Sequence, residues 1–417
     1  MAGWNGRRVV ITGMGAITPL GNSVPEFWEA CVDGKSGIDY VTQFDASSYP
    51  YHFTGEVKGF DPLDHMDRRE ARRMSRFSHF AVAASREALQ NSELDLEQQD
   101  RSRVGVVMGN GIGGLPSIEQ AVHTIRDKSG LRIDPLFMPK MLPNMAAAQL
   151  SLVLGAKGYS NTVITACAAG TQAMGDSLDL IRSGRADVVF TGGTEAALCE
   201  LGLCGFAVMR ALSARNDDPR KASRPFDAER DGFVAAEGAA IFVFEDLEHA
   251  RRRDAPIVAE IAGYGACSDA HHVVAPCADG EGAARAMTWA LQDAGVAPDE
   301  VDYINAHGTS TKLNDAVETL AIKKAFGEHA YRIPVSATKS MIGHAFGAAG
   351  AMESVACLEA MRHGVIPPTI NYEHPDPECD LDYVPNEARR ADVRVALKNS
   401  FGFGGQNACL LFKRLED

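Results

Sequence analysis

The sequence predicts an α/β protein built from two related halves, and three observations support this prediction. Runs rich in β-branched residues alternate with helix-like segments along the chain, which is typical of α/β architecture. The order of these segments in the first half recurs in the second. The length of 417 residues exceeds the usual size of a single hydrophobic core. We therefore expect one half at 1–253 and the other at 254–417, divided near a charged Arg-Arg-Arg-Asp run.

Each predicted strand is a short run of β-branched or aromatic residues beside a turn or a helix-like segment. In chain order, the strongest runs cover 7–12, 103–108, 162–166, 186–193 and 301–306. The duplication is visible in matching segments: Ala-Leu-Gln at 88–90 and 290–292, Gly-Asn-Gly at 109–111 and Ala-His-Gly at 306–308, helix ends at 154–155 and 326–327, strands at 162–166 and 333–337, and Ala-Ala-Gly helix starts at 168–170 and 348–350. These matches predict an internal pseudo-symmetry.

Composition and charge narrow the classes of function. A formal net charge of −14 argues against general nucleic-acid binding, which requires a basic surface. The nine cysteines show neither a Cys-x-x-Cys pair nor zinc-ligand spacing, so we expect free thiols in a reducing compartment. The N-terminal sequence is typical of neither a secretory signal nor a transit peptide, and no window is apolar enough to span a bilayer. We expect a cytoplasmic protein that binds neither membranes nor nucleic acids.

Two glycine motifs and a histidine pair suggest nucleotides or metals, but their context argues against both. The segment 13–18 fits a dinucleotide fingerprint by letters, yet Pro19 follows it at once. The segment 109–114 fits better, but Pro116 interrupts the helix that should receive the pyrophosphate. The adjacent histidines at 271–272 have poor geometry for one metal ion. We predict neither a dinucleotide site nor a metal site.

Cys167 lies where a predicted strand at 162–166 turns into a helix, and this placement makes it a candidate nucleophile. The unpaired N–H groups and positive dipole end of a helix favour thiolate over thiol, so we expect a thiolate here. The small residues at 168–170 leave room for a substrate carbonyl beside the sulfur. The competing interpretation of a lone cysteine is an inert buried thiol.

Two histidines lie in equally suggestive places. His307 ends a predicted strand among glycine and hydroxyl residues, which favours a cleft over a core, although a structural histidine remains the alternative. His344 precedes the second-half helix that matches the helix after Cys167, so pseudo-symmetry predicts that His344 lies near the sulfur. The segment 399–405 is predicted to be a glycine-rich turn whose N–H groups either face an oxyanion or belong to a plain hairpin.

Four motifs, TACAAG, NAHGTST, TKSMIGH and NSFGFGG in this order, resemble the Cys-His-His signature of the thiolase superfamily. The resemblance is specific to the elongating β-ketoacyl carrier-protein synthases of type II fatty-acid synthesis. It extends nearly end to end, from VVITGMGAITPLG through SRPFDAERDGFVAAEGA to the C-terminus. It implies a thiolase-like fold, with duplicated βαβαβαββ halves in five αβαβα layers, and a homodimer. Gln406, which follows the last glycine pair, departs from the family pattern, and this departure does not change the catalytic assignment.

The resemblance also implies roles for individual residues. Cys167 resembles the nucleophile that takes the acyl chain, and His307 and His344 resemble the pair that stabilises the enolate formed when malonyl loses carbon dioxide. Other residues carried over in this way are Lys339 with Asp315 and Glu353 as its charge partners, the N–H groups of Cys167 and Phe403 as the oxyanion hole, Phe403 and Phe401 at the gate, Thr309 and Thr311 against the pantetheine arm, and Ile112 at the limit of the acyl pocket. We expect no metal, and no cofactor beyond the 4′-phosphopantetheine that arrives on the carrier protein.

A basic run in this acidic chain is the candidate docking surface for that carrier. The run comprises Arg68, Arg69, Arg72, Arg73 and Arg76, spaced so that several share a helix face. A solvated surface helix is the plain interpretation. The resemblance favours docking of an acidic carrier protein at Arg69, Arg72 and Arg73, with Arg210 as a further contact.

The sequence therefore predicts a decarboxylative Claisen condensation of an acyl group on Cys167 with malonyl carrier protein, which lengthens a fatty acid by two carbons. The alternatives are a ketosynthase subunit of a type II polyketide system and a non-catalytic subunit that only shapes chain length. A biosynthetic thiolase fits less well, because its second catalytic cysteine has no counterpart at the expected position in NSFGFGGQNAC, where Cys409 is predicted to lie on the closing strand. On this basis His344→Ala is expected to keep acylation while losing condensation.

Overall fold

Ten strands form one continuous sheet in the computed structural model of the chain, which describes residues 6–128 and 132–415. The strands of the described residues are β1 Val9–Ile17, β2 Asp39–Tyr40, β3 Phe53–Thr54, β4 Val104–Gly109, β5 Ser160–Val163, β6 Val188–Glu195, β7 Gly238–Asp246, β8 Ala259–Ser268, β9 Tyr303–Asn305, β10 Val335–Ser336, β11 Val365–Ile366, β12 Arg389–Arg390, β13 Val395–Gly402 and β14 Gln406–Lys413. The order across the large sheet is β10-β9-β13-β14-β8-β1-β7-β6-β4-β5. The remaining strands form two small ribbons, β2 with β3 and β11 with β12.

Helices connect and cover these strands. The α-helices of the described residues are α1 Val24–Val32, α2 Arg68–Ala71, α3 Arg76–Ser92, α4 Leu115–Lys128, α5 Phe137–Met141, α6 Met145–Leu154, α7 Ala169–Arg182, α8 Glu200–Val208, α9 Leu247–Arg252, α10 Glu281–Ala294, α11 Lys312–Phe326, α12 Lys339–Ile342 and α13 Ala349–His363. Local chemistry fixes several ends: Ser23 accepts a hydrogen bond at the start of α1, and Gly155 ends α6 in the left-handed conformation. In the described residues, no helix is long and apolar enough to cross a membrane.

The large sheet contains the same five-strand pattern twice. In the first half, β5, β4 and β6 are parallel neighbours, and β7 and β1 continue the sheet in antiparallel pairing. In the second half, β10, β9, β13, β14 and β8 repeat this order and these directions. The two patterns meet where β1 pairs with β8. The predicted boundary at 253–254 falls between α9 and β8, and the division of this continuous sheet into two domains stays a prediction.

The helices and the two halves of the sheet stack in five layers, and three large hydrophobic clusters fill the space between them. One outer cluster joins α3 and α6 to the first-half strands, and another joins α10 and α11 to the second-half strands. The central cluster surrounds α7 and α13, which pack against each other between the two halves of the sheet. Both central helices are buried along most of their length, as expected for helices covered on both sides.

Two predicted boundaries differ from the structure in an informative way. The strand predicted at 162–166 ends at Val163, because the exposed Ile164 leaves the sheet and Ala166 turns the chain with a φ of 50°. The turn predicted at 399–405 is shorter, because its first four residues pair with β14 as part of β13. Apolar periodicity marks where these strands run, whereas hydrogen-bond pairing decides where they stop.

Candidate active site

The nucleophile candidate lies in a tight turn between β5 and α7. Ala166, one residue before Cys167, has a positive φ of 50°, a conformation that is costly for a residue with a side chain. Phe346 has a φ of 44° at the corresponding point before α13, which makes Gly347 the structural counterpart of Cys167. His344 therefore lies three residues ahead of that counterpart, at the head of the matching helix.

Glycines let the two helix starts approach each other closely. A Cβ atom added at Gly170 would lie 2.8 Å from the carbonyl oxygen of Gly347, and one added at Gly350 would lie 2.0 Å from Oγ1 of Thr171. With these side chains absent, Nε2 of His344 lies 3.0 Å from Sγ of Cys167. The structure thus brings together the pair that pseudo-symmetry predicts.

His307 completes the group from the second half of the chain. Its ring centroid lies 5.5 Å from that of His344, in an edge-to-face arrangement. Nζ of Lys339 lies 3.4 Å from Nδ1 of His307 and donates a 2.6 Å hydrogen bond to its carbonyl oxygen. Because the ammonium group of Lys339, paired with Glu353, can only donate hydrogen bonds, Nδ1 acts as the acceptor and Nε2 carries the proton. His307 therefore presents an N–H donor on its other side.

Glu318, on the second turn of α11, fixes the loop that carries His307. Its carboxylate accepts 2.8 Å hydrogen bonds from the backbone N–H groups of His307 and Gly308. The amide of Asn399 donates to the same carboxylate over 3.2 Å. The sequence analysis did not identify Glu318, although it follows Asp315 by three residues and shares its helix face.

Burial keeps both imidazoles neutral. The pKa of His307 lies well below its usual value, first because the ring is desolvated and then because the positive charge of Lys339, the neighbouring His344 ring and the positive charge of Lys398 disfavour its protonation. The pKa of His344 is lowered well below the usual value by burial and by the same two lysines. Neutral imidazoles donate or accept one hydrogen bond each without introducing charge, which suits them to a developing enolate.

The same burial contradicts the expected resting thiolate. Although Cys167 lies in the turn just before α7, desolvation by its protein surroundings raises the pKa of the thiol to about 12, and Glu195 adds to this effect. Lys339 and two backbone N–H groups oppose the increase without overcoming it. Cys167 therefore rests as a thiol, and the neutral His344 at 3.0 Å is placed to accept its proton.

The two backbone N–H groups that act on the sulfur belong to Cys167 itself and to Phe403, the predicted oxyanion-hole residues. Gly402 makes this proximity feasible, because an added Cβ atom would lie 3.1 Å from the backbone nitrogen of Cys167 and 2.8 Å from the carbonyl oxygen of Thr165. Two N–H groups that converge beside a nucleophilic sulfur form a suitable site for a negatively charged oxygen.

A buried charge cluster lies beneath the histidines. Nζ of Lys339 and Nζ of Lys398 contact the two oxygens of Glu353 over 2.6 and 2.7 Å. Asp315 is not part of this cluster: it lies 3.6 Å from Nε of Arg230, so its predicted pairing with Lys339 is wrong. Asp315 lies on the first turn of α11, where its side chain also accepts a hydrogen bond from the backbone N–H of Phe226.

Lys398 was missed by the sequence analysis. A lysine inside the apolar strand Val-Ala-Leu-Lys-Asn-Ser was the available signal, because a charged residue in a central strand needs a buried partner.

A cavity of about 410 Å³ opens beside Cys167. Predicted site residues that line it are Cys167, His307, His344, Thr309, Thr311, Phe401, Phe403 and Arg210. The hydroxyls of Thr309 and Thr311 lie 2.9 Å apart on its wall. Ile112 does not line this cavity but packs on the apolar cluster that includes Phe346, which does line it. Ile112 therefore lies behind the residues that line the cavity.

The basic run does not form one helix face. Helix α2 has a single turn, Arg72 and Arg73 follow it, and Arg76 forms an ion pair with the buried Glu237 at 2.7 Å. Arg69, Arg72 and Arg73 are exposed and lie outside the cavity lining. Arg210 is exposed at the cavity itself, so one of the four docking candidates lines the cavity and three do not.

Within the described residues, one group offers the donors of a metal site, and it lies away from Cys167. Glu119 and His123 on α4 and Glu200 on α8 place their ligand atoms within 4.8 Å of one another. Glu119 also accepts a 2.6 Å hydrogen bond from the backbone N–H of Leu201. None of these three side chains lines the cavity beside Cys167.

Comparison with known proteins gives a consistent result. The family model for the beta-ketoacyl synthase N-terminal domain matches residues 6–250, and the model for the beta-ketoacyl synthase C-terminal domain matches residues 258–373. The chain is 51% identical over 416 residues to the 3-oxoacyl-[acyl-carrier-protein] synthase 2 of Synechocystis sp., covering 100% of both chains. It is 48% identical over 410 residues to the protein of the same name from Staphylococcus aureus, covering 98% of this chain and 99% of the relative.

Solved structures show the same fold. A ketosynthase solved with its type II polyketide acyl-carrier protein, AntDE:AntF, has a TM-score of 0.91 at 37% identity. A beta-ketoacyl synthase from Burkholderia phymatum has a TM-score of 0.91 at 36% identity. Each comparison covers 98% of this chain and 100% of the other.

Proposed function

Because the chain belongs to the beta-ketoacyl synthase family, we propose that it is a 3-oxoacyl-[acyl-carrier-protein] synthase that lengthens acyl chains by two carbons. The observation that supports this most strongly is the convergence of one thiol and two neutral imidazoles on one cavity, with Nε2 of His344 at 3.0 Å from Sγ of Cys167. A thiol beside a base accepts an acyl group from a thioester, and neutral N–H donors stabilise an enolate.

The first half-reaction moves the acyl group onto Cys167. His344 accepts the thiol proton as Sγ attacks the thioester carbonyl of the acyl carrier protein. The N–H groups of Cys167 and Phe403 hold the negative oxygen of the tetrahedral intermediate. The bond from the carbonyl carbon to the pantetheine sulfur then breaks, and that sulfur leaves with the proton returned by His344.

The second half-reaction forms the new carbon–carbon bond. The malonyl group on a second carrier protein loses carbon dioxide, and the electron pair of the broken bond remains as an enolate, whose oxygen accepts a hydrogen bond from the N–H of His307. The enolate carbon attacks the acyl carbonyl on Cys167, and the cysteine sulfur leaves. Release of 3-oxoacyl carrier protein and uptake of one proton by the sulfur restore the thiol.

Mass spectrometry of the chain after incubation with acyl carrier substrate tests this assignment. We expect an acyl adduct on the Cys167 peptide, and Cys409→Ala, a buried thiol on β14, should retain it. His307→Ala should accumulate the adduct without condensing, because His344 accepts the thiol proton whereas His307 supplies the N–H that stabilises the enolate. The 3.0 Å contact changes the expectation for His344→Ala, which should slow acylation as well. Absence of the adduct, or normal condensation by His307→Ala, would refute the proposal.

A ketosynthase subunit of a polyketide system is the second candidate, favoured by the 0.91 TM-score of the AntDE:AntF ketosynthase. Identity to the two 3-oxoacyl-[acyl-carrier-protein] synthase 2 relatives is higher, 51% and 48% against 37%. The products formed with a 3-ketoreductase, a dehydratase and an enoyl reductase distinguish the two candidates. Saturated acyl chains support the fatty-acid function, and poly-β-keto products support the alternative.

We further propose that the substrates arrive on an acyl carrier protein, whose own 4′-phosphopantetheine is the only prosthetic group involved. The AntDE:AntF ketosynthase is described in complex with its acyl-carrier protein, which supports this partner. The exposed Arg69, Arg72 and Arg73 and the cavity-side Arg210 are the docking candidates. Charge reversal at Arg72 and Arg73 should raise KM for carrier-bound substrates with little change in kcat, and unchanged kinetics would remove this surface from the proposal.

A homodimer in the cytoplasm completes the proposal. The strand β5 ends the large sheet with an exposed edge at Ser160 and Asn161, and the nearby Ile164 and Leu152 are 55% and 74% exposed. An open edge beside exposed apolar side chains is a typical pairing surface for a second copy. All nine cysteines are free, which supports a reducing compartment.

A further inference from the structure

Lys398 is a fully buried lysine in the middle of β13, and the reaction steps above make no use of it. Its ammonium group contacts the second oxygen of Glu353 over 2.7 Å. It also donates to the carbonyl oxygen of Asn399 and, over 3.2 Å, to Oγ of Ser400. A buried lysine loses a large hydration energy, and these contacts show a site built to hold its charge.

Glu353 connects this lysine to the reaction centre. One carboxylate faces two ammonium groups, because Lys339 holds its other oxygen over 2.6 Å. Lys339 in turn donates to the carbonyl oxygen of His307 and contacts Nδ1 of its ring. A chain of direct contacts therefore runs from Lys398 through Glu353 and Lys339 to His307.

We propose that Lys398 is a positioning residue for condensation. It binds one of the two carboxylate oxygens of Glu353, so that Lys339 remains available to hold His307. Its positive charge also disfavours protonation of both imidazoles. This inference rests on the proposed condensing function. Lys398 touches neither the sulfur nor the cavity, so it acts only through its neighbours.

Charge balance explains why a second cation is needed. Without Lys398, Lys339 would be the one cation in contact with Glu353. The negative charge of the carboxylate would then balance the positive charge of the ammonium group that orients His307. With Lys398 present, the three side chains carry a net positive charge, which disfavours protonation of nearby rings. The positive charge of Lys398 lowers the pKa of both His307 and His344, after the larger effects of burial and of Lys339.

The other titratable groups near Lys398 do not replace this effect. They are Glu318 on α11, Cys357 on α13 and Cys409 on β14, all buried. Glu318 is occupied by the backbone N–H groups of the His307 loop, and burial raises the pKa of both thiols, which therefore stay uncharged. Lys398 is thus the second cation of the cluster with Glu353, in which Lys339 is the first.

Replacement by methionine, which has a similar length and no charge, tests the inference. We expect Lys398→Met to keep the acyl adduct on Cys167 at pH values above the pKa of His344, where this base is still neutral, because Lys398 is not among the groups that shift the pKa of the thiol. Condensation should fall about 10-fold or more, and the acidic limb of its pH profile should move to higher pH, since loss of the positive charge raises the pKa of both histidines. Lys413→Met, at the end of the neighbouring strand β14, is the matched control and should leave both half-reactions unchanged.

Amine rescue separates this role from a purely structural one. Lys398→Ala leaves space beside Glu353, so methylammonium should restore part of the condensation rate, whereas tetramethylammonium, which lacks N–H donors, should not. Wild-type condensation by Lys398→Met would overturn the inference. A variant that loses both acylation and condensation, and regains neither in methylammonium, would also overturn the inference. Failure of the proposed function itself would look different, because the unmodified chain would then not condense.

Discussion

Cys167 needs its neighbours before it can act as a nucleophile. A thiol whose pKa is raised to about 12 by its protein surroundings holds almost no thiolate at neutral pH, so proton transfer to His344 must accompany attack. His307 has a different task, because Lys339 fixes its tautomer and its N–H faces away from that lysine. Both histidines are therefore neutral imidazoles, but His344 contacts the cysteine sulfur whereas His307 contacts Lys339.

Glu195 gives a prediction about the pH dependence of this thiol. One of its oxygens accepts hydrogen bonds from the N–H groups of Gly111 and Gly347, and burial raises its pKa to about 7. The negative charge, present above that pKa, raises the pKa of Cys167. Glu195→Gln should therefore alkylate faster with iodoacetamide above pH 7, by about three- to tenfold, and at the wild-type rate well below it, where Glu195 is protonated.

A buried carboxylate far from the sulfur provides the control for this measurement. Glu359→Gln changes a carboxylate near the end of α13 and should follow the wild-type alkylation profile at every pH. A Glu195→Gln profile that runs parallel to wild type across pH 7 would mean that the charge of Glu195 does not reach Cys167.

Among the elements, the starts of α7 and α13 decide the geometry of the reaction centre. Both follow a residue with positive φ, and at the start of α7 Gly170 lies against the backbone of Gly347. Gly109, at the end of β4, shows how little space remains, because an added Cβ atom would lie 2.3 Å from the backbone nitrogen of Gly170. Since backbone atoms cannot move aside as a flexible side chain does, helix and strand are held at a fixed distance.

Gly109→Ala should consequently disturb both stability and acylation. We expect the free energy of unfolding to fall by about 1–3 kcal/mol, as for other overpacked core positions, and adduct formation on Cys167 to slow because α7 is displaced. Urea unfolding and mass spectrometry measure the two effects. Gly205→Ala is the matched control: Gly205 lies within α8 with nothing near its Cβ position, so alanine should be neutral or slightly stabilising. Equal stability of the two variants would contradict this account of the packing.

Considered as a whole, the molecule has two sheet edges that differ in exposure. At one end, β10 is covered: the N–H of Val335 donates to the carbonyl oxygen of Asp382, and that of Ala337 donates to the hydroxyl of Thr369. At the other end, β5 has an exposed edge. A second copy is the partner that we propose for this edge, because pairing would continue the sheet and cover the apolar side chains beside it.

Light scattering during size-exclusion chromatography tests this dimer. The chain should elute with twice the monomer mass, and Leu152→Glu should shift the equilibrium toward monomer, because a charge would then lie beside the pairing edge. Leu320→Glu, a similar change on α11 in the other half, should leave the dimer intact. A monomeric wild-type chain would rule out the dimer.

Local sequence patterns were enough to predict the α/β class, the duplication and the cysteine–histidine group. Apolar runs and turn residues act over a few neighbours, so they can be identified in the order in which they occur. The pairing of Cys167 with His344 followed from pseudo-symmetry, because equivalent helix starts occupy equivalent places in each half. The helix ends at Leu154 and Phe326 were predicted correctly for the same local reason.

Charge pairing and protonation depended on distances that only the folded chain defines. Asp315 was paired with the wrong cation, Lys398 and Glu318 were missed, and the thiol of Cys167 was expected to be ionised. Each of these depends on which groups from distant segments are buried together, and desolvation outweighs the helix-terminus effect that the sequence suggests. The sequence thus contains the reactive groups, and their packing in the core determines which of them carry charge.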